Sequence, residues 1–226
     1  MTQLSKSNQL FKLGKNYISI KKEDPHYSWH RALIKHLKFP LDQHYGSHAI
    51  VLLAALFVSN KGPVLELGMG PTSSPLLHRL ALEQNRSLVS ADSDRQWIDY
   101  FQLRFGNQSF HRMKYVEVKT ETGVEWSISN LANLEKWNIV SIDHRPGPRR
   151  QFNLVLYAEH SDIVIIHDTE QSALYKYEKG LEMHPYRYRF TKLKTHTDVV
   201  SKKHDEFIKR IRYLLESTPD SYYLST

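Results

Sequence analysis

Two glycines and two carboxylates between residues 66 and 92 have the types and spacing of a nucleoside-binding turn. The stretch Glu66-Leu67-Gly68-Met69-Gly70-Pro71-Thr72-Ser73-Ser74 closes a short apolar run and opens a helical pattern. Gly68 and Gly70 let a backbone turn tightly and approach a ligand, and Ser73 and Ser74 stand where the following helix exposes free N–H groups. Asp92, about two dozen residues beyond Gly68 and at the end of the next apolar run, is placed to accept hydrogen bonds from both hydroxyls of a ribose. Glycine turns also end many strands that bind nothing, so the pairing with Asp92 carries the reading.

A second set of reactive residues closes two later apolar runs: Asp143-His144-Arg145-Pro146-Gly147-Pro148-Arg149-Arg150 and His167-Asp168-Thr169-Glu170. Asp143, His167 and Asp168 could hold a divalent cation, Mg²⁺ or Mn²⁺, that orients a hydroxyl and lowers its pKa. A metal-free scheme uses His144, His167 or Asp168 as general base. Arg145, Arg149 and Arg150 either grip a carboxylate or phosphate bidentately or sit solvated at a helix start. The chain has 13 histidines, so a histidine near a site is weak evidence by itself.

These residues need a scaffold that brings strand ends together. Apolar strand patterns fall at Pro63–Leu67, Ser87–Ala91, Met113–Val118, Asn138–Ile142 and Asp162–Ile166, with Tyr186–Leu193 and Ser221–Leu224 closing the series. Helical patterns fall at His48–Ser59, Ser73–Gln84, Asp94–Phe105, Leu131–Lys136, Arg150–His160, Thr169–Lys179 and Asp205–Leu215, with Ser73 or Ser74 as the N-cap of the second. Strands alternating with helices imply an α/β fold, a mostly parallel sheet with helices on both faces and an antiparallel pair at one edge. Ligands of such sheets bind beyond the carboxyl ends of the strands, where both sets of residues lie.

At 226 residues the chain has room for one α/β domain, read here as residues 48–226, with residues 1–47 a polar, basic extension packing on it. The formal charge of +7 is uneven: +6 over residues 1–40, −3 over 41–185, +6 over 186–212 and −2 over the remainder. Basic flanks that meet in space would draw in an anionic acceptor or nucleic acid; a solvated surface is the plain alternative. The alternation Tyr186, Arg187, Tyr188, Arg189, Phe190 would serve equally to stack bases or sugars and to build a half-buried edge strand. No apolar run approaches membrane-spanning length and no secretory signal precedes the domain, so a cytoplasmic location is expected. With no cysteine, any metal must take oxygen or imidazole ligands.

Val64-Leu65-Glu66-Leu67-Gly68-Met69-Gly70 resembles motif I of the class I, Rossmann-like S-adenosylmethionine-dependent methyltransferases, and Asp92 resembles the acidic residue after their second strand. The resemblance spans about residues 62–166. It implies a three-layer sandwich around a seven-stranded sheet and S-adenosylmethionine as cofactor. Gly68 and Gly70 would then pass its methionine and ribose portions, Asp92 would hold the ribose diol and Ser93 would flank the adenine. Glu66 would bond the methionine amino group or the motif backbone, and Glu121, Glu125 or Trp126 would offer an adenine contact. Tyr45 and His48 precede the first strand, where relatives place a lid; capping and packing a helix is the alternative. Pro71-Thr72 departs from the family, which often has a further glycine there. Beyond the motif, Asp143 and the His167-Asp168 pair are similar to metal-dependent small-molecule O-methyltransferases, and Asp-x-x-Pro-Gly-x-x-Arg followed by His-Asp is similar to the glucuronoxylan O-methyltransferase type. Oxygen methylation of a small molecule, sugar or glycan is the function this implies. The alternatives are an RNA methyltransferase, though the Asn/Asp-Pro-Pro-aromatic signature is missing, and a catalytically silent binding protein of the same fold.

Overall fold

The computed structural model describes residues 8–13, 16–21, 26–128, 131 and 136–223, and of residues 8–21 the backbone alone. An antiparallel hairpin, β1 (Asn8–Leu13) and β2 (Asn16–Lys21), comes first. Helices α1 (Tyr27–His36) and α2 (Gly46–Val58) precede the sheet. The alternating series then runs β3 (Val64–Leu67), α3 (Ser73–Glu83), β4 (Leu88–Asp92), α4 (Arg95–Phe105), β5 (His111–Tyr115), α5 (Glu125–Ile128), β6 (Trp137–Ile142), α6 (Arg150–His160) and β7 (Ser161–His167). It closes with α7 (Ser172–Tyr175), α8 (Glu178–Glu182), β8 (Tyr186–Phe190), β9 (Thr197–Ser201) and α9 (Asp205–Ser217).

The seven strands from β3 to β9 form one sheet in the order β5-β4-β3-β6-β7-β9-β8. Pairing is parallel from β5 to β7, and β9 runs antiparallel to both β7 and β8. Successive side chains of a strand face opposite ways, which separates two apolar layers. Val64, Ile139, Ile163, Ile165 and Val199 pack with α1, α2, α3 and α9. Leu65, Leu67, Val140, Ile142, Val164 and Ile166 pack with Trp126, Leu154, Tyr157, Tyr177 and Leu181 on the other face. The order reverses between β3 and β6, so their carboxyl ends, with those of β4 and β7, open on one crevice. Among the described residues no helix is long and apolar enough to cross a membrane.

Several expectations need correction. The helix read over Thr169–Lys179 is broken, because Lys176 takes a left-handed turn (φ 57°) that drives Tyr177 into the core. The final strand read at Ser221–Leu224 is a tight turn of a helix at Asp220–Tyr222 after Pro219, and Leu224 lies outside the described residues. The edge partner is instead β9, whose central Asp198 masks its strand pattern. That carboxylate is fully buried, 2.5 Å from Arg187 Nε and 2.7 Å from Arg189 Nε, and it accepts the Thr169 hydroxyl at 2.8 Å. The arginines of the aromatic-basic alternation are thus engaged within the sheet edge. The third strand starts at His111 and ends at Tyr115 rather than running over Met113–Val118. Residues 132–135 of the helix expected at Leu131–Lys136 lie outside the described residues; α5, just before them, was not anticipated. Neither Ser73 nor Ser74 caps α3: both belong to its first turn, after Thr72, and their hydroxyls turn to Glu66 instead.

Candidate active site

The turn after β3 is built around a buried carboxylate. Glu66 Oε1 accepts the hydroxyls of Ser73 (2.7 Å) and Ser74 (2.8 Å), and its Oε2 accepts that of Ser90 (2.5 Å). Burial pushes the Glu66 carboxyl up to about 7, against the pull of these three donors. The acid therefore pins the start of α3 to the strand layer, beneath the turn. Ser74 Oγ in turn accepts the Gly70 amide at 3.0 Å.

The two glycines have different reasons to be there. Gly68 has φ +95°, and a Cβ on it would lie 2.4 Å from the Asp143 carbonyl carbon and 2.5 Å from the His144 nitrogen, so the crossing of β3 and β6 demands glycine. A Cβ on Gly70 would meet nothing nearer than Ser73 Oγ at 3.7 Å. No protein contact requires Gly70, and it lines a cleft of about 530 Å³ with Met69, Asp92, Ser93, Trp97, Asp143 and His167 among its walls. That volume is in the range of small-molecule sites.

Asp92 ends β4 on the same cleft. Its Oδ2 accepts the Met69 amide at 2.5 Å and its Oδ1 the Asp94 amide at 2.7 Å. The Ser93 amide is a third donor to this carboxylate, and burial raises its pKa despite all three. Glu125 ties down the preceding loop by accepting the Lys119 and Thr120 amides, and Trp126 is buried with its indole N–H on the Arg145 carbonyl (2.8 Å). Glu121 lines a side branch of the cleft beside Ser93 and Arg145. Tyr45 is an exposed wall of the main cleft.

Opposite the glycine turn, the ends of β6 and β7 carry a compact polar cluster. Asp143 Oδ1 lies 2.9 Å from Arg150 Nη2 and 3.6 Å from His167 Nδ1, and Oδ2 lies 3.6 Å from His48 Nδ1. Asp168 meets Arg150 Nη1 (3.1 Å) and His167 Nδ1 (3.2 Å) through its two oxygens. Burial opposes ionisation of Asp143, but Arg150 first, with His167 and His48, overcomes it and holds the carboxyl well below the usual range. Burial also resists charge on His167, while Asp143 and Asp168 outweigh it and raise its pKa. With Nδ1 facing two carboxylates, Nε2 of His167 is left, and it has no hydrogen-bond partner among the described residues.

His48 is the member that sequence reading placed elsewhere, as a lid or helix-packing residue. It projects from α2, stacks on His167 with ring centroids 4.9 Å apart, and shares a hydrogen bond with Ser141 Oγ at 2.9 Å. Burial, followed by His167, lowers its pKa to about 3. His48, Asp143 and His167 each offer a ligand atom within 4.8 Å of the others, so by geometry His48 replaces Asp168 in the expected metal set. That set fits Mg²⁺ poorly, since it has one carboxylate where this ion takes oxygen ligands. Arg150 moreover holds an oxygen of both Asp143 and Asp168.

His144, a candidate base, is committed to packing: its ring stacks on Trp126 at 4.2 Å, Nε2 meets Asn153 Oδ1 at 3.1 Å, and burial lowers its pKa to about 3. The three arginines divide. Arg150 is buried and engaged on all sides, Arg149 donates to Ser127 Oγ (2.7 Å) and covers Phe152, and Arg145 is exposed at the cleft without an ion-pair partner among the described residues.

No family model matches the sequence, and no curated protein matches it. Solved structures do share the fold. Human methyltransferase-like protein 13 in complex with SAH is 14% identical with a TM-score of 0.52, over 76% of this chain and 92% of that one. The O-methyltransferase TomG from Streptomyces achromogenes, involved in tomaymycin synthesis and solved with SAM, is 14% identical with a TM-score of 0.51, over 80% and 91%. The ribosomal protein L11 methylase from Lactobacillus delbrueckii subsp. bulgaricus is 15% identical with a TM-score of 0.50, over 74% and 84%. The chain thus has the Rossmann-like fold of the class I methyltransferases.

Proposed function

We propose that the protein is an S-adenosylmethionine-dependent methyltransferase acting on a hydroxyl of a small molecule, sugar or glycan. The observation that carries this is Gly70: a glycine that no protein contact requires, opening onto the cleft beside Asp92. Two of the structures that share the fold hold SAH or SAM, which supports the choice of cofactor. When bound, S-adenosylmethionine supplies a methyl group on a positively charged sulfur. Asp92, oriented by the Met69, Ser93 and Asp94 amides, would accept from the ribose hydroxyls, and Gly70 would give the cofactor its approach to the turn.

On the opposite wall, His167 is the residue suited to take the acceptor's proton. Its Nδ1 side is oriented by Asp168 and Asp143, which leaves Nε2 as the basic nitrogen; Nε2 is enclosed in this structure, so the ring or its cover must shift for an acceptor to reach it. Arg145, exposed at the cleft and without an ion-pair partner among the described residues, favours an acceptor that carries a carboxylate or phosphate. Calorimetry with S-adenosylmethionine and S-adenosylhomocysteine on wild type and Asp92→Ala tests the cofactor claim. Binding by wild type and its loss in the variant are expected, followed by a screen of anionic and neutral hydroxyl acceptors. A wild type that binds neither compound refutes the reading.

A further inference from the structure

Arg150 opens α6, and its side chain reaches back across the ends of two strands. Nη2 lies 2.9 Å from Asp143 Oδ1 and donates to the Asp143 carbonyl at 3.1 Å. Nη1 lies 3.1 Å from Asp168 Oδ2 and donates to the Tyr177 hydroxyl at 3.3 Å and the His167 carbonyl at 3.4 Å. Nε donates to the His144 carbonyl at 2.7 Å. One buried cation thus bridges a carboxylate from the end of β6 and another from the end of β7, and ties the loops behind both.

Bridging two carboxylates at strand ends is the work a divalent ion does in sites built from oxygen ligands. We infer that Arg150 occupies the position of such an ion, so that this site operates with a built-in guanidinium instead of a bound metal. The charge balance supports this. Asp143 and Asp168 contribute two negative charges, Arg150 one positive, and His167 a second positive once it has accepted a proton, which leaves the cluster neutral. A divalent ion held beside Arg150 would take His167 as a neutral ligand and leave the same cluster with one excess positive charge in a buried site, where uncompensated charge is costly. Arg150 is a positioning residue here: it acts through Asp143 and Asp168, and it touches no reacting atom. Only its consequence for catalysis rests on the methyltransferase reading; the ion question does not.

The competing occupant is a transition-metal ion at His48, Asp143 and His167, whose two imidazoles and one carboxylate would suit Mn²⁺ better than Mg²⁺. The test is titration of the full chain with Mn²⁺, following the spectrum of the free ion by electron paramagnetic resonance. Wild type is expected to show no saturable uptake. Arg150→Gln, which uncovers an oxygen on each carboxylate, is expected to gain uptake of one Mn²⁺ per chain and to lose it again when Asp168→Asn is added. If Arg150→Gln does not fold, Arg150→Met takes its place, since it removes the charge and keeps an unbranched side chain in the buried space. Saturable uptake by wild type that His48→Ala abolishes overturns the inference, as does a folded Arg150 variant that takes up no ion. Neither arm uses S-adenosylmethionine, so a failure here is distinct from a failure of cofactor binding.

Discussion

With Glu66 ionised, the Ser90 hydroxyl donates to its Oε2 at 2.5 Å, which sets the direction of a hydrogen-bond chain running away from the glycine turn. Having given its proton to Glu66, Ser90 can only accept from His111 Nε2, 2.9 Å away. His111 Nδ1 is then a lone pair, and it accepts from His78 Nδ1 at 2.9 Å. Burial, followed by His78, holds His111 at about 3, so its ring is neutral near neutrality, as one donor and one accepting nitrogen require. Ser90→Ala would leave Glu66 Oε2 and His111 Nε2 without their shared partner. A loss of about 1–3 kcal/mol is expected from urea unfolding at pH 7, since both orphaned groups are buried.

Glu66 gives the fold a pH dependence of definite sign. Its folded pKa of about 7 lies above the ordinary 4.5, so the folded state binds the proton more tightly. Its contribution to stability is complete below 4.5 and is lost as pH rises to about 7. Relative to Glu66→Gln, wild type should lose about 3 kcal/mol across that window and change little above it. His48 and His144, held near 3, act in the opposite sense but equally in both proteins. Denaturant midpoints of the two proteins at pH 4.5, 6 and 8 check the difference.

The contrast between the two glycines makes a paired prediction. Gly68→Ala drives a methyl into the β6 backbone at positive φ and should give little folded protein. Gly70→Ala meets only Ser73 Oγ at ordinary contact distance and should fold with a midpoint close to wild type. Calorimetry should nevertheless show at least a ~10-fold loss of S-adenosylmethionine affinity, about 1.4 kcal/mol. Unchanged affinity in Gly70→Ala would remove the main support for the turn as a cofactor site.

His167 should titrate above the ordinary histidine value, because Asp143 and Asp168 favour its charged form more than burial opposes it. Its contribution to stability is full below 6.5 and fades as pH rises through the raised value. Catalysis by Nε2 needs the neutral ring, so the methyl-transfer rate should fall as pH drops below that value. In proton NMR the His167 ring resonance, assigned by its loss in His167→Gln, should shift at lower pH in Asp168→Asn than in wild type. A titration unmoved by that change would leave Asp168 without a hold on the base.

The reading of the sequence was strongest where information is local. The strand patterns around Glu66, Asp92 and Ile166 and the glycine turn lie within short stretches, and the sheet order follows from their alternation with helices. Arg150–His160 was read to the residue because its amphipathic pattern and flanking strands agree. What escaped depends on partners far along the chain. His48 meets Ser141, Asp143 and His167 only after α2 has packed under the sheet. His78 and His111 lie 33 residues apart, and nothing in either neighbourhood announces their hydrogen bond. β9 was missed because Asp198 is stabilised by Arg187 and Arg189 from the neighbouring strand, where local composition suggests a polar loop. The break at Lys176 likewise serves Tyr177, whose hydroxyl lies beside Arg150.

Helix α2 decides how the cleft can breathe. Every residue from Gly46 to Leu56 is buried, so the helix that presents His48 is a fixed wall and cannot swing out as a lid. The opposite rim is different: Thr169–Tyr175 is made of two short helical turns, with Leu174 exposed and Tyr175 seated on Gly147. Amide hydrogen exchange should therefore be slowest along α2 and fastest across residues 170–176. Ligands of the cleft would enter from that rim, past Tyr175 and Arg145, while the wall bearing His48 keeps its place.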